Sequence, residues 1–150
     1  IDEDKRDNLM SAYHKIFTSD DKQKRLIAAI AWSRWEAATS SLSYKPSLVE
    51  EFSDPEFALA FALIENHYFI NKGWFETENQ LIENIDKIRS IPSVIVQGRY
   101  DVVCPMKTAW ELSEAWPEAE MIIAPSSGHT AFEKEITHAL ISATNKFGKN

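Results

Sequence analysis

Up to residue 73 the apolar side chains recur only at helical spacing; beyond it, two short β-branched runs stand out among further helical stretches. Leu9, Met10, Tyr13, Ile16 and Phe17 predict an amphipathic helix within 1–17. The polar residues 18–21 then cap a second helix over about 22–38, whose apolar stripe is Leu26, Ile27, Ile30, Ala31 and Trp35. Residues 39–46 lack periodicity and read as a loop. Ser53-Asp54-Pro55-Glu56 reads as a helix start, with Ser53 as the cap, Glu56 completing a capping box and Pro55 tolerated in the first turn. That helix runs through Phe57, Leu59, Phe61, Leu63 and Ile64 to Phe69, and Asn71-Lys72-Gly73-Trp74 breaks it.

In the second half, Val94-Ile95-Val96 stops at Gln97-Gly98, and Met121-Ile122-Ile123-Ala124 stops at Pro125. A helix over about 106–116, ended by Pro117, separates the two runs, which is the pattern of parallel strands in an α/β sheet. A Thr77/Gln80 capping box opens another helix, with Leu81, Ile82, Ile85 and Ile88 on its buried side. A closing helix over 131–147 would turn Phe132, Ile136, Leu140 and Ile141 to the sheet. Each strand then delivers one ionisable side chain, Asp101 or His129, to the carboxyl edge of the sheet, where open α/β sheets place ligands. A carboxylate there can hold an imidazole in one tautomer and make it a general base.

Composition narrows the function classes. The 150 residues are 44% hydrophobic and 26% charged, which fits one folded globular unit and argues against disorder. The formal net charge of −7 provides no global basic field for nucleic acid or an anionic membrane surface and suits a cationic or neutral substrate better. No apolar run approaches the roughly 20 residues of a membrane span, and no basic-then-apolar leader opens the chain, so the expected compartment is the cytoplasm. The single cysteine, Cys104, excludes an internal disulfide and reads as a small buried hydrophobe beside the acid. No metal-ligand spacing occurs, and no cofactor is expected. His14 and His138 read as surface residues, and His67 as structural.

The run GRYDVVCP (98–105) followed by SGHTAFE (127–133), with the acid 28 positions before the histidine, resembles the C-terminal half of an α/β-hydrolase. More narrowly it is similar to the proline iminopeptidases, serine peptidases that remove N-terminal proline. The plain alternative is a Gly-Arg-Tyr-Asp turn beside a loop histidine. The resemblance implies part of a helical cap over 1–73 and the last two sheet strands with flanking helices over 74–150. It implies catalytic roles for Asp101 and His129. No Gly-x-Ser-x-Gly elbow occurs in the chain, so the nucleophilic serine is expected on a missing N-terminal half, and the isolated chain is expected to be inactive.

Two acids carry the specificity part of the resemblance. Trp32 and Glu36 are four apart and share a helical face within Trp32-Ser33-Arg34-Trp35-Glu36. Glu65 lies among apolar and aromatic residues, a costly position unless it is partnered. On residue pattern alone, Glu36 reads first as a surface acid beside core tryptophans, and Glu65 as a carboxylate bonded to a nearby side chain or a helix end. The family pattern implies that both bind the amino group of a peptide with a free N-terminal proline, and the nearby aromatics Trp32, Trp35, Tyr68 and Phe69 are candidate walls for the pyrrolidine ring. Two other readings stay open: another α/β-hydrolase, such as an esterase or epoxide hydrolase, and a non-enzymatic helical interaction module. With strand edges and apolar helix faces uncovered, self-association or a rearranged fold of the isolated chain is expected.

Overall fold

The computed structural model describes residues 1–148, which form two compact units. The first comprises 1–38 and 45–76, the second 39–44 and 77 onward.

In the first unit a 3-10 turn, Glu3–Asn8, leads into α1 (Leu9–Phe17), capped by Asn8 accepting from the Ser11 N–H at 3.0 Å. Most of α2 (Lys22–Ser40), α3 (Pro46–Glu51) and α4 (Pro55–Ile70) complete it. Phe17, Ala28, Ala29, Trp32 and Ala62 form the core, with Tyr13, Ile16, Leu59, Phe61 and Leu63 packed around it. Trp32 stands at its centre, its ring edge-on to Tyr13 at 5.0 Å and tilted to Phe69 at 6.2 Å. Asn66 is fully buried; its amide N–H donates to the Met10 carbonyl at 3.1 Å, so its carbonyl faces His14 Nδ1 at 3.1 Å and takes a proton from it.

Several helical expectations need correction here. The covered face of α2 is Ala28, Ala29, Trp32, Ser33 and Ala37, not the stripe of larger side chains; Ile27 and Trp35 are exposed. Small residues allow close helix approach around one large ring, and apolar size alone misses that preference. Ser53 does not cap α4: its hydroxyl donates to the Val49 carbonyl, while Asp54 accepts the N–H groups of Glu56 and Phe57. The short helix α3 lies in a stretch that the hydropathy pattern left without an element. Leu9 and Met10 are exposed, and His14 is half-buried rather than on the surface. After α4, Lys72, Gly73 and Trp74 all take positive φ (52°, 60° and 58°), a left-handed turn that only Gly73 adopts without strain. The Trp74 ring is held there 5.2 Å from both His67 and Tyr68.

In the second unit β1 (Val94–Gly98) and β2 (Glu120–Ala124) pair in parallel, from Val94 opposite Glu120 to Gly98 opposite Ala124. The crossover is α6 (Met106–Ala115), and α7 (Lys134–Phe147) packs on both strands. The run after Thr77 forms only one helical turn, α5 (Gln80–Glu83), and a 3-10 turn, Ile85–Lys87. The Thr77 hydroxyl donates to the Glu83 carboxylate at 2.9 Å instead of capping, and of the four apolar residues expected inside, Ile85 alone is fully buried. On α7, Ile136 and Ala139 are covered, whereas Leu140 and Ile141 are exposed and Phe132 precedes the helix, fully open to solvent. Cys104 is exposed rather than buried. Among the described residues no helix is long and apolar enough to cross a membrane.

Candidate active site

Because β1 and β2 run the same way, the loops that follow them leave from one edge of the sheet. Asp101 comes three residues after β1 and His129 five after β2. Two glycines let the loops meet. A Cβ on Gly98 would lie 1.9 Å from the Gly128 carbonyl oxygen, and one on Gly128 would lie 2.9 Å from the Leu42 nitrogen, so neither position admits a side chain. Tyr100 N–H donates to the Ser127 carbonyl at 2.9 Å and closes the contact.

His129 Nδ1 lies 3.0 Å from Asp101 Oδ2. The other carboxylate oxygen, Oδ1, accepts the backbone N–H groups of Val103 at 3.0 Å and Cys104 at 2.8 Å, the Asx turn that an aspartate at a loop start favours. Gln97 Nε2 donates to Oδ2 at 3.2 Å and to the Cys104 carbonyl at 3.0 Å. Four N–H groups thus address an acceptor-only carboxylate whose side chain is 6% exposed. Its partner must donate, which puts the imidazole proton on Nδ1 and leaves the Nε2 lone pair available on a ring still 34% exposed. The arrangement is that of a general base held by an orienting acid.

Sequence reasoning missed the support around this pair. The backbone N–H groups of His129 and Thr130 both donate to the Ser40 carbonyl, at 2.9 and 2.8 Å. Glu133 and Glu135 reach back from the start of α7 to the histidine loop: Glu133 accepts from Gly128 N–H, and Glu135 from Ser126 N–H at 2.8 Å. The Ser127 hydroxyl is buried and donates to Glu135 at 3.2 Å, so it is committed elsewhere. The four-residue spacing of Glu133 from His129 is the one signal that could have drawn attention to it.

The remaining candidate residues lie in the first unit. The Trp32 indole N–H donates to Glu65 Oε2 at 2.5 Å, so the apparently isolated acid has a partner, and Trp32 is itself buried in the core. Glu36 is half-buried, one turn along α2 from Trp32. Trp35 is 72% and Tyr68 55% exposed. The structure therefore joins Asp101 to His129 and Trp32 to Glu65. Among the described residues no cluster of three or more His, Cys, Asp or Glu side chains could hold a metal ion.

Residues 63–147 match the model of an α/β-hydrolase family described as TAP-like protein. The chain is also similar to the probable proline iminopeptidase of Leptolyngbya boryana, 55% identical over 147 residues that make up 98% of this chain and 46% of that protein. The proline iminopeptidase of Xanthomonas citri is 56% identical over 142 residues, 95% of this chain and 45% of its own. That of Arabidopsis thaliana is 50% identical over 139 residues, 93% of this chain and 37% of its own. The chain spans less than half the length of these curated relatives.

Proposed function

Because the chain belongs to the TAP-like family of α/β-hydrolases, we propose that it supplies the general base, the orienting acid and the recognition acids of a serine exopeptidase that releases N-terminal proline. The observation that carries the reading is the 3.0 Å contact of His129 Nδ1 with a carboxylate whose remaining acceptor positions are taken by backbone and Gln97 N–H groups. The names of the relatives support the substrate.

In this mechanism His129 Nε2 takes the proton of a serine hydroxyl as its oxygen attacks the carbonyl carbon of the N-terminal proline. It then returns the proton to the leaving amine, and the acyl-enzyme is hydrolysed by water activated in the same way. Asp101 keeps the tautomer correct and stabilises the imidazolium that forms between the two transfers. The serine and the oxyanion donors come from the segment corresponding to the rest of the relatives' length. Glu36 and Glu65 would bind the secondary ammonium of the substrate, each charge-assisted hydrogen bond contributing roughly 1.5–3 kcal/mol. Trp32, Trp35 and Tyr68 would line the ring site.

The Trp32 to Glu65 hydrogen bond favours a second reading, in which Glu65 is a structural acid that takes no part in ammonium recognition, as in an esterase or epoxide hydrolase that needs no such acid. Relative losses on two substrates separate the readings. In the full-length protein, Glu36→Gln and Glu65→Gln should each reduce hydrolysis of proline p-nitroanilide about tenfold or more, while hydrolysis of a simple p-nitrophenyl ester changes little. Equal losses on both substrates would remove the case for ammonium recognition.

A further inference from the structure

We propose that Glu133 is a positioning residue for His129: it fixes the loop that carries the imidazole without touching the reacting atoms. Its catalytic consequence rests on the hydrolase reading above, but its geometric consequence does not.

Glu133 occupies the N-cap position of α7, yet its side chain makes no capping hydrogen bond to that helix. The shorter carboxylate of an aspartate there would ordinarily accept the first free N–H groups of the helix, whereas a glutamate reaches further. Here it turns back. Oε1 accepts the Leu42 N–H at 2.8 Å, and Oε2 accepts the Gly128 N–H. The Glu133 N–H donates to the Thr130 carbonyl at 3.1 Å, a tight turn that brings the side chain back over the loop. On the other side of the loop, the Ser40 carbonyl takes the N–H groups of His129 and Thr130. Segment 40–42 and segment 128–130 thus lie backbone against backbone. Gly128 leaves no room for a side chain between them, since a Cβ there would stand 3.2 Å from the Ser41 carbonyl carbon. One carboxylate joins both segments, and the Gly128 N–H it accepts is adjacent in the chain to the residue whose ring must stay within hydrogen-bond reach of Asp101.

The chemistry of the two oxygens gives the substitutions a clear expectation. Glutamine at 133 offers one acceptor and one NH2 group, so one of the two backbone N–H groups would face another donor. Aspartate keeps the charge but is shorter by one methylene and cannot span both segments.

Amide exchange and histidine nitrogen NMR on the full-length protein test the geometry. In Glu133→Gln, exchange at Gly128 and Leu42 should accelerate at least tenfold while the β1 and β2 amides keep their protection. The signal of the His129 Nδ1 proton, which is hydrogen-bonded to Asp101 in the unaltered chain, should broaden or disappear. If Glu133→Gln does not fold, Glu133→Asp should produce the same local pattern more weakly. In the full-length protein, kcat on proline p-nitroanilide should fall about 100-fold with KM within twofold, the size of loss that a misplacement on the order of 1 Å causes. A lower melting temperature with unchanged loop exchange, His129 signal and kcat per folded molecule would overturn the proposal and leave Glu133 a stability residue. If Asp101→Asn leaves kcat unchanged, the hydrolase reading fails, and the loop exchange and His129 signal alone decide the role of Glu133.

Discussion

At the scale of the residue, the tautomer of His129 depends on which end of Asp101 faces it. Oδ1 is committed to two backbone N–H groups, Val103 and Cys104, which cannot turn into acceptors. In Asp101→Asn the amide carbonyl must therefore stay on those two donors, and the NH2 group replaces Oδ2 opposite His129 Nδ1. The ring would respond by moving its proton to Nε2, leaving no lone pair there for a hydroxyl proton. A loss in kcat on the order of 10⁴ is expected in the full-length protein, as for a triad acid replaced by its amide. The tautomer change should be visible by nitrogen NMR on the isolated chain, whatever segment supplies the nucleophile. An unchanged Nδ1–H signal in the variant would show that the asparagine had flipped, and that the Asx turn does not control the pair.

At the scale of the element, the strands and the loop residues that follow them were legible because short β-branched runs end sharply at Gly98 and Pro125. The 28-residue spacing of acid and histidine, with one crossover helix between, was legible for the same reason. Helix faces were less so. The α2 core face is built from alanines and a serine around Trp32, and hydropathy ranks those residues below Ile27 and Trp35, which are exposed. The capping box at Thr77 failed because Glu83 competes for the threonine hydroxyl. Apart from the Asp101 to His129 pair, contacts between residues far apart in sequence were not legible. Arg89 donates from one nitrogen to both Glu118 oxygens at 2.9 Å, from another to Asp86 at 3.0 Å, and from a third to the Ala115 carbonyl at 2.9 Å, fastening the end of α6 to the turn before β1. The hydrogen bond from Arg89 holds the Glu118 carboxyl below its ordinary value of 4.5. The folded state therefore binds that proton less readily than the unfolded chain, so the stabilisation is complete above about pH 4.5 and disappears as the pH falls through the lower folded value. Arg89→Met should lower the melting temperature by a few degrees at pH 7, a small effect because the pair is exposed, and the difference from the unaltered chain should shrink by pH 3. A difference that persists undiminished at pH 3 would assign the effect to the Ala115 contact and to lost packing of the arginine stem.

At the scale of the whole molecule, charge and open surface act against each other. Among the described residues each strand of the two-stranded sheet has one edge without a partner strand, and parallel strands as apolar as these are ordinarily covered on both faces. Here most of their residues are only half-buried, and Ile123 on β2 is exposed. Trp35, Ile64, Tyr68, Phe69 and Trp74 are more than half exposed in the first unit. What opposes association is the net charge of −7, which vanishes near the isoelectric point of about 5.1. The isolated chain should therefore self-associate in a pH-dependent way: weakly at pH 8 and low salt, more strongly as salt screens the repulsion, and most strongly as the pH approaches 5. Sedimentation velocity across that range measures it directly. Ile123→Lys places a charge on the exposed strand and should shift the chain back toward monomer near pH 5 if association runs through the sheet. If that variant associates as strongly as the unaltered chain, the contact runs through the aromatic surface of the first unit, and Trp35→Lys becomes the substitution that should relieve it. A chain that stays monomeric at 100 μM near pH 5 would mean that the exposed edges and rings are too small or too scattered to hold two copies together, and charge would not be what keeps the chain apart.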